Sequence, residues 1–191
     1  MRISHYLWYS ICTMSKNVLS ADNQQERVKV NLNPWYIVGF VEGEGTFHIA
    51  FYIDPRMKAK LKAIPEFHVN QSYLRIITLE KIREYFGCGY LKKNHAKNPK
   101  DTTYVYVVRD REDLMKQIIP FFRKFPLKSV KQESFVRFAR IVEMMAKGKH
   151  RTVSGIKKIV DVAYQMNASG KYRFRTKDEL KTLLQSSETI R

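Results

Sequence analysis

The sequence predicts an α+β fold in which helices cover one face of an antiparallel sheet. Residues 46–52 and 66–70 alternate apolar and polar side chains, which is the pattern of half-buried strands. Two shorter strands are predicted over 89–93 and 104–108, and segments with apolar residues at helical spacing surround both pairs. The predicted order is therefore αββαββα, with the second face of the sheet left open.

The first predicted helix begins at Pro34 and carries two carboxylates at its end. Asn33 is a favourable N-cap, Pro34 is a favourable first residue, and we expect Gly45 to end the helix in the left-handed conformation. Glu42 and Glu44 then lie in the last turn, where the helix dipole disfavours each carboxylate by roughly 0.3–1 kcal/mol. Because a bound cation would reverse that cost, we interpret the segment as a functional site.

Gly39 and Gly43 are four residues apart in this helix, so they lie on the same face. A glycine inside a helix costs about 1 kcal/mol relative to alanine, which indicates that both positions are kept small for the close approach of another backbone. The chain contains a single segment of this kind, and the simplest partner is the same helix of a second copy. We therefore expect a homodimer.

The two strands that follow are joined by a polar loop. Phe47, Ile49 and Phe51 should point inward from the first strand, and Phe67 and Val69 from the second. The side chains between them should point outward: His48, Ala50, Tyr52, Glu66, His68 and Asn70. A second helix is then predicted from Leu74, Ile77, Ile82 and Phe86, and it should end at Gly87.

The remaining helices are predicted from caps and apolar spacing. Asp110 can cap a third helix, and a longer apolar face runs over 135–145. Residues 156–163 indicate another helix, and Thr176 with Glu179 forms a capping box for the last one. We expect these helices to cover one side of the sheet.

Three parts of the chain are expected. Residues 1–32 form a flexible N-terminal extension, 33–167 the core domain and 168–191 a C-terminal helical tail. The segment 1–12 only faintly resembles a targeting peptide, because it lacks a clean apolar stretch and a small-residue cleavage site. Met14, which polar residues follow, indicates a downstream start site.

Charge and composition limit the class of partner. The 191 residues include 35 Lys and Arg against 18 Asp and Glu, a net charge of +17, which favours nucleic acid over an acidic membrane surface. No apolar run approaches the roughly 18 residues of a membrane span. Two isolated cysteines, Cys12 and Cys88, suit a reducing interior, so we expect an intracellular protein, in the cytoplasm or nucleoid of a prokaryote or in an organelle.

The segment Ile37-Val-Gly-Phe-Val-Glu-Gly-Glu-Gly45 resembles the LAGLIDADG motif of homing endonucleases, with Glu at both acidic positions where Asp is commoner. Residues 66–75, 86–90 and 120–122 resemble the single-motif, homodimeric branch of this family in the same order. The resemblance covers 33–166. It implies a saddle-shaped sheet and site-specific cleavage of double-stranded DNA by an intron-encoded homodimer.

The resemblance also implies a metal site that takes Mg²⁺, with Mn²⁺ able to substitute. Glu44 would be the direct ligand, the backbone carbonyl of Gly43 would assist, and Glu42 would shape the helix end. Carboxylate and carbonyl oxygens are the ligands that such hard cations prefer. A metal held there can lower the pKa of the attacking water and stabilise the leaving oxygen.

By the same resemblance, Gln71 and Arg75 surround the nucleophilic water and the phosphate. A basic residue from a later helix completes the set. Lys131 is the choice from its spacing, and Lys128 is a competing candidate.

The open face of the sheet is predicted to bind DNA, because a two-stranded ribbon fits the major groove. The candidate contacts are His48, Ala50, Tyr52, Arg56, Lys58, Lys60, Lys62, Glu66, His68, Asn70, Tyr90, Lys92, Asn94, Thr103 and Val105. Interpretations without DNA contact also exist. The three lysines would then lie in a solvated loop, and the two histidines would be ordinary surface residues.

Two functions from other classes remain open. An RNA maturase would bind intron RNA and assist splicing, and a DNA-binding protein derived from the same fold would bind without cutting. The intact acidic pair favours the nuclease. The histidines form neither a zinc pattern nor a His-Asn-His nuclease unit.

Overall fold

The computed structural model describes residues 32–57, 59–166 and 175–186. Its elements are α1 (Pro34–Glu44), β1 (Gly45–Ile53), β2 (Leu61–Ser72), a 3₁₀ turn (Tyr73–Arg75), α2 (Ile76–Phe86), β3 (Tyr90–Lys93), β4 (Thr103–Val108), α3 (Arg111–Asp113), a π-helical stretch (Leu114–Ile118), α4 (Ile119–Lys124), α5 (Lys131–Ala146), a second 3₁₀ turn (Lys149–Arg151), α6 (Val153–Ala163) and α7 (Lys177–Ser186). The predicted order of helices and strands is confirmed. The predictions for Met14, Lys58 and residues up to 31 lie outside the described residues.

The four strands form one antiparallel sheet in the order β1-β2-β4-β3. Phe47 of β1 pairs with Phe67 of β2, and Phe67 pairs with Val108 of β4. Since side chains alternate along each strand, this register aligns the apolar residues of neighbouring strands on one face.

Helices pack on that face through a cluster of aromatic rings. The ring centre of Phe47 lies 5.3 Å from that of Phe67, 5.4 Å from that of Phe122 in α4 and 5.3 Å from that of Phe138 in α5. Phe67 also contacts Tyr106 of β4 edge to face. These buried rings form the centre of the core, and the opposite face of the sheet remains available.

Three predicted helix starts are confirmed by their caps. The side chain of Asn33 accepts from the backbone N–H of Trp35 at 2.9 Å, and Asp110 accepts from two N–H groups at the start of α3. Thr176 and Glu179 form the reciprocal capping box at the start of α7. Gly87 ends α2 in the left-handed conformation, also as predicted.

The prediction for Gly45 was wrong. Its φ of −89° and ψ of 153° are extended, and α1 leads directly into β1 with no left-handed residue. A Cβ at this position would lie 2.5 Å from Cγ1 and 2.7 Å from the carbonyl oxygen of Val41. Gly45 is therefore required by the close approach of the helix end to the strand.

The prediction of the buried face of α2 was partly wrong. Leu74 is 91% exposed and Ile77 is 55% exposed, whereas Leu79, Ile82 and Phe86 are buried. Leu74 belongs to the 3₁₀ turn before α2, whose geometry differs from that of the helix. The apolar spacing therefore extends one turn beyond the face that packs on the sheet.

The described helices are short. The longest, α5, has 16 residues, fewer than the roughly 20 that a bilayer requires. None of the helices in these ranges is long and apolar enough to cross a membrane.

Candidate functional site

The end of α1 and the end of β2 meet at one edge of the sheet. Gly45, directly after α1, pairs with Val69 of β2. Because the strands are antiparallel, Gln71 lies two residues beyond that pair, on the side where Glu44 ends the helix. Arg75 ends the 3₁₀ turn that follows β2. The register therefore brings Glu44 and Gln71 to the same edge, and Arg75 follows four residues after Gln71.

Lys131 joins this edge from α5. Its Nζ donates to the carbonyl oxygens of Val41 at 2.8 Å, Glu42 at 2.8 Å and Gly45 at 2.7 Å. An ammonium group has three donors, so each donor has an acceptor, and the positive charge lies at the negative end of the α1 dipole. Burial lowers the pKa of Lys131, and the charges of Glu42 and Glu44 offset part of that effect.

Lys128, the competing candidate, is directed elsewhere. Its Nζ lies 5.3 Å from the ring centre of Trp35, near the start of α1. Of the two lysines, the structure brings the ammonium of Lys131 to the helix end.

Glu42 makes the reciprocal connection to the start of α5. Its carboxylate accepts from the backbone N–H of Ser129 at 3.0 Å, from the N–H of Lys128 and from the hydroxyl of Ser129. Burial raises the pKa of Glu42, but these hydrogen bonds and the charge of Lys131 outweigh it, so the pKa lies below its ordinary value. The carboxylate that looks misplaced in α1 thus binds the segment directly before α5.

Glu44 differs from Glu42, since it is exposed and no hydrogen bond or ion pair engages its carboxylate among the described residues. Lys131 donates to the carbonyl oxygens of Val41, Glu42 and Gly45 near Glu44. It does not donate to the carbonyl oxygen of Gly43. In the described part of the chain, no group of three or more His, Cys, Asp and Glu side chains could hold a metal. One chain therefore offers a carboxylate and a carbonyl, which fit a hard cation but do not complete its coordination.

Gln71 and Arg75 are close to this edge but have different environments. Oε1 of Gln71 accepts from the backbone N–H of Ser72 at 2.8 Å, so the amide is held against its own strand. The guanidinium of Arg75 is exposed, and no partner for it occurs within the described ranges.

The glycine face of α1 is open. A Cβ at Gly39 or Gly43 would meet no heavy atom within 4 Å, and Trp35 and Tyr36 on the same helix are about half exposed. The close backbone contact that the glycines predict is therefore not made within the described part of a single chain.

The exposed face of the sheet carries the predicted DNA contacts of all four strands. The register places on it His48, Ala50, Tyr52, Lys62, Glu66, His68, Asn70, Tyr90, Lys92, Thr103 and Val105, with Asn94 directly after β3. Thr46, Ile64 and Val107 share this face and were missed, although the alternation of the strands could have identified them. Arg109 follows β4 and was also missed, because it lies beyond the alternating segment.

Two of these residues are not exposed as predicted. Val105 is 2% exposed because its cross-strand neighbours, Asn70 and Lys92, have longer side chains. It forms part of the floor of this face. Glu66 lies on the predicted face but is 4% exposed, since Arg109 and His68 pair with its carboxylate.

The loop between β1 and β2 holds Arg56 and Lys60. Arg56 donates to both carboxylate oxygens of Asp54, each at 2.9 Å. Lys60 has a φ of 51°, an uncommon conformation for a residue other than glycine, and its N–H donates to the carbonyl of Met57. Lys62 is exposed and pairs with Tyr52 across the hairpin.

Comparison with known proteins gives consistent matches. Residues 37–142 match the family model of the LAGLIDADG endonuclease. A curated relative, the probable intron-encoded endonuclease 3 of Neurospora crassa, is 32% identical over 148 residues, which are 76% of this chain and 25% of the relative. The chain therefore spans about a quarter of that relative's length.

Two solved structures are similar over most of this chain. The homing endonuclease I-TnaI has a TM-score of 0.70 and 36% identity, covering 82% of this chain and 98% of that one. The archaeal intron-encoded homing endonuclease I-Vdi141I, solved in complex with DNA, has a TM-score of 0.73 and 28% identity, with coverages of 82% and 96%. These likenesses confirm the predicted fold, and the family model spans more than half of the sequence. The chain belongs to the LAGLIDADG endonuclease family.

Proposed function

We propose that this protein is a site-specific DNA endonuclease that cuts both strands of its target as a homodimer. The observation that carries the proposal is the exposed carboxylate of Glu44, which has no partner among the described residues, at a helix end that Lys131 and Glu42 fix in place. The names of its relatives support the same activity: one is a probable intron-encoded endonuclease, and one homing endonuclease was solved with DNA.

Endonucleases of this family are metal-dependent, and we propose Mg²⁺, with Mn²⁺ able to substitute. Glu44 and the carbonyl of Gly43 would hold the ion. When bound, it would supply Lewis acidity that activates water and stabilises the leaving oxygen. Both donors are hard oxygens, which suits this cation.

The other residues at this edge would position the reactants. The Gln71 amide, held by its bond to Ser72, would orient the attacking water, and the Arg75 guanidinium would contact the scissile phosphate. Lys131 would fix the helix end and contribute positive charge beside the phosphate. Its three backbone acceptors support a positioning role over proton transfer.

A homodimer would complete the site. Gly39 and Gly43 leave the α1 face open, and a second copy of α1 could approach there. Two chains would then bring two Glu44 carboxylates to the axis, one for each DNA strand. The exposed sheet faces and the net charge of +17 support binding of the duplex on both sides of that axis.

The location of the protein follows the same proposal. A relative is named a probable intron-encoded endonuclease, so we propose that this chain works inside the cell, in an organelle or in prokaryotic cytoplasm, where it meets its target gene. Binding of intron RNA would be a second activity, and the experiment below tests it.

The test uses duplexes that the wild-type protein selects from a randomised DNA library. Wild type should cut them with Mg²⁺ and not with chelator. Glu44→Gln should bind them with near-wild-type affinity and cut more than about 100-fold more slowly, since a metal ligand is lost. The matched control is Glu112→Gln, which neutralises an exposed carboxylate on α3 paired with Lys116.

Cleavage by Glu44→Gln at the wild-type rate would overturn the assignment of Glu44. If wild type binds an intron transcript and cuts no duplex with Mg²⁺, the maturase function is favoured and the nuclease proposal fails.

A further inference from the structure

A buried carboxylate lies in the middle of the exposed sheet face. Glu66 of β2 pairs with His48 of β1, and Arg109 lies one residue beyond the Phe67–Val108 pair, opposite Glu66 on the other side. Glu66 is 4% exposed, and among the described residues it is the one charged side chain that is buried. A buried acid on a face that otherwise suits a polyanion needs an explanation.

Each carboxylate oxygen of Glu66 has its own basic partner. Nε of Arg109 lies 2.6 Å from Oε1, and Nε2 of His68 lies 2.9 Å from Oε2. Burial raises the pKa of Glu66, but the neighbouring His68, Arg109 and His48 outweigh it, so the pKa lies below its ordinary value. The carboxylate is therefore ionised at neutral pH, and each of its oxygens lies within ion-pair distance of a basic group, without the geometry of a hydrogen bond.

Arg109 is only partly used by this contact. Its side chain is 39% exposed, and the contact with Glu66 runs through Nε. A guanidinium has five N–H donors, and within the described ranges no other contact engages it. Arg109 lies between β4 and α3, so its side chain would adopt many rotamers without Glu66. Holding one of them lowers the entropy cost of ordering the side chain when a ligand binds.

The following inference rests on the proposed function. We infer that Glu66 is a positioning residue that holds Arg109 on the DNA side of the sheet, and that Arg109 is a specificity-determining contact to the target. A preorganised guanidinium can donate to O6 and N7 of guanine, which is the commonest specific contact in the major groove. Glu66 does not read cytosine itself, because both of its oxygens are engaged and buried.

The experiment compares full-length wild type, Glu66→Gln, Arg109→Ala and the double variant. Each selects duplexes from a randomised library, and affinities are then measured for the wild-type duplex with every base pair substituted in turn. Both single variants should lose preference at the same base pairs, by roughly 5- to 150-fold. The double variant should lose no more than Arg109→Ala, because the two residues act as one unit.

Matched controls come from ion pairs on the helices. Glu112→Gln and Arg123→Ala each break an exposed pair outside the sheet, and both should keep the wild-type profile. Glu66→Gln could unfold the protein, since it leaves Arg109 without its partner. In that case Glu66→Asp tests the positioning role, because it keeps the charge and shortens the side chain that contacts Arg109. Arg109→Lys tests the contact to the base, because it keeps the charge and removes the planar fork.

The outcomes separate the inference from the proposed function. A wild type that enriches no sequence would count against the proposed function. If wild type selects a target and Glu66→Gln keeps its full profile, the positioning role of Glu66 fails. If Arg109→Lys keeps the full profile, the specificity role of Arg109 fails. Loss of preference at a different base pair when Glu66→Gln is added to Arg109→Ala would mean that Glu66 reads a base, and would also overturn the inference.

Discussion

The end of α1 and the centre of the sheet both place glutamates beside basic side chains, but they differ in what is left unpaired. At the helix end, Lys131 and Glu42 are paired within the protein, and the carboxylate of Glu44 has no partner in the part of the chain that the structure describes. On the sheet, both oxygens of Glu66 form ion pairs, and Arg109 keeps N–H donors that no other described residue contacts. One region therefore offers an anion to a cation, and the other offers a cation to an anion.

This difference shows how charge that looks misplaced in a sequence can have two distinct causes. Glu42 and Glu44 break the same helix-dipole rule, yet Glu42 is explained by the N–H groups of Lys128 and Ser129. Glu44 has no such explanation within the described residues. The group that remains after internal pairing therefore indicates the charge of the ligand. The following predictions test the pairing at the helix end.

The largest effect is expected for Lys131→Met. The substitution keeps an apolar stem but leaves the carbonyls of Val41, Glu42 and Gly45 without their donor and removes positive charge from the dipole end. The free energy of unfolding should fall by about 2–4 kcal/mol, measured by urea denaturation.

Lys128→Met is the matched control, because it removes the other candidate lysine. Its ammonium contacts the ring of Trp35, and the loss should be about 0.5–1 kcal/mol. Equal losses for the two variants would mean that the hydrogen bonds of Lys131 do not anchor α1.

A smaller loss is expected for Glu42→Gln. The amide oxygen can still accept hydrogen bonds, but the charge-assisted bonds from Ser129 and Lys128 are weakened at the start of α5. The free energy of unfolding should fall by about 1–2 kcal/mol. Glu112→Gln, at an exposed helical pair, should change it by less than about 0.5 kcal/mol. If the Glu42 variant is as stable as this control, the hydrogen bonds from Lys128 and Ser129 to Glu42 do not stabilise the protein.

The pH dependence sharpens the same prediction. The folded pKa of Glu42 lies below its ordinary value of 4.5, so the folded state favours the ionised form. Its contribution should be complete above that ordinary value and should be lost as the pH falls through the folded pKa. The stability difference between wild type and Glu42→Gln should therefore be largest near neutral pH and shrink below about pH 4.5. A difference that grows in acid would contradict the assigned direction.

Most of the fold could be predicted because its signals are local. Alternation has a period of two residues, so the outward face of β1 and β2 could be predicted from the sequence. Asn33, Asp110 and Thr176 are residues typical of N-caps, and they indicated where three helices begin. The errors occurred where tertiary geometry decides. Gly45 is required by contact with Val41 and not by a left-handed turn, and Leu74 lies in a 3₁₀ turn outside α2.

The site was predictable only in part. Glu42 and Glu44 indicated a site because negative charge at the end of a helix is unfavourable. The family resemblance indicated Lys131. The partners of Glu42 are 86 and 87 residues away in the chain, so no local pattern could reveal them. The burial of Glu66 likewise depends on Arg109, which lies beyond the last strand. Exposure was inferred from alternation, and alternation gives the face of a side chain but not what covers it.

The smallest effect in metal-free buffer is expected for Glu44→Gln, and its sign separates Glu44 from Glu42. Removing negative charge from the end of α1 should stabilise the protein, and the lost attraction to Lys131 offsets part of that gain, so the net change should be a gain of at most about 0.5 kcal/mol. Mg²⁺ should reverse the ranking. At a tenfold excess over its dissociation constant, the ion would stabilise wild type by about 1.4 kcal/mol and leave Glu44→Gln unchanged. Glu42→Gln, which keeps Glu44, should still gain from the ion. The measurement compares how much Mg²⁺ raises the free energy of unfolding of wild type and of Glu44→Gln at one protein concentration. Equal increases would show that the carboxylate of Glu44 is not the metal ligand, and the helix end would then not differ from the sheet in the charge of its ligand.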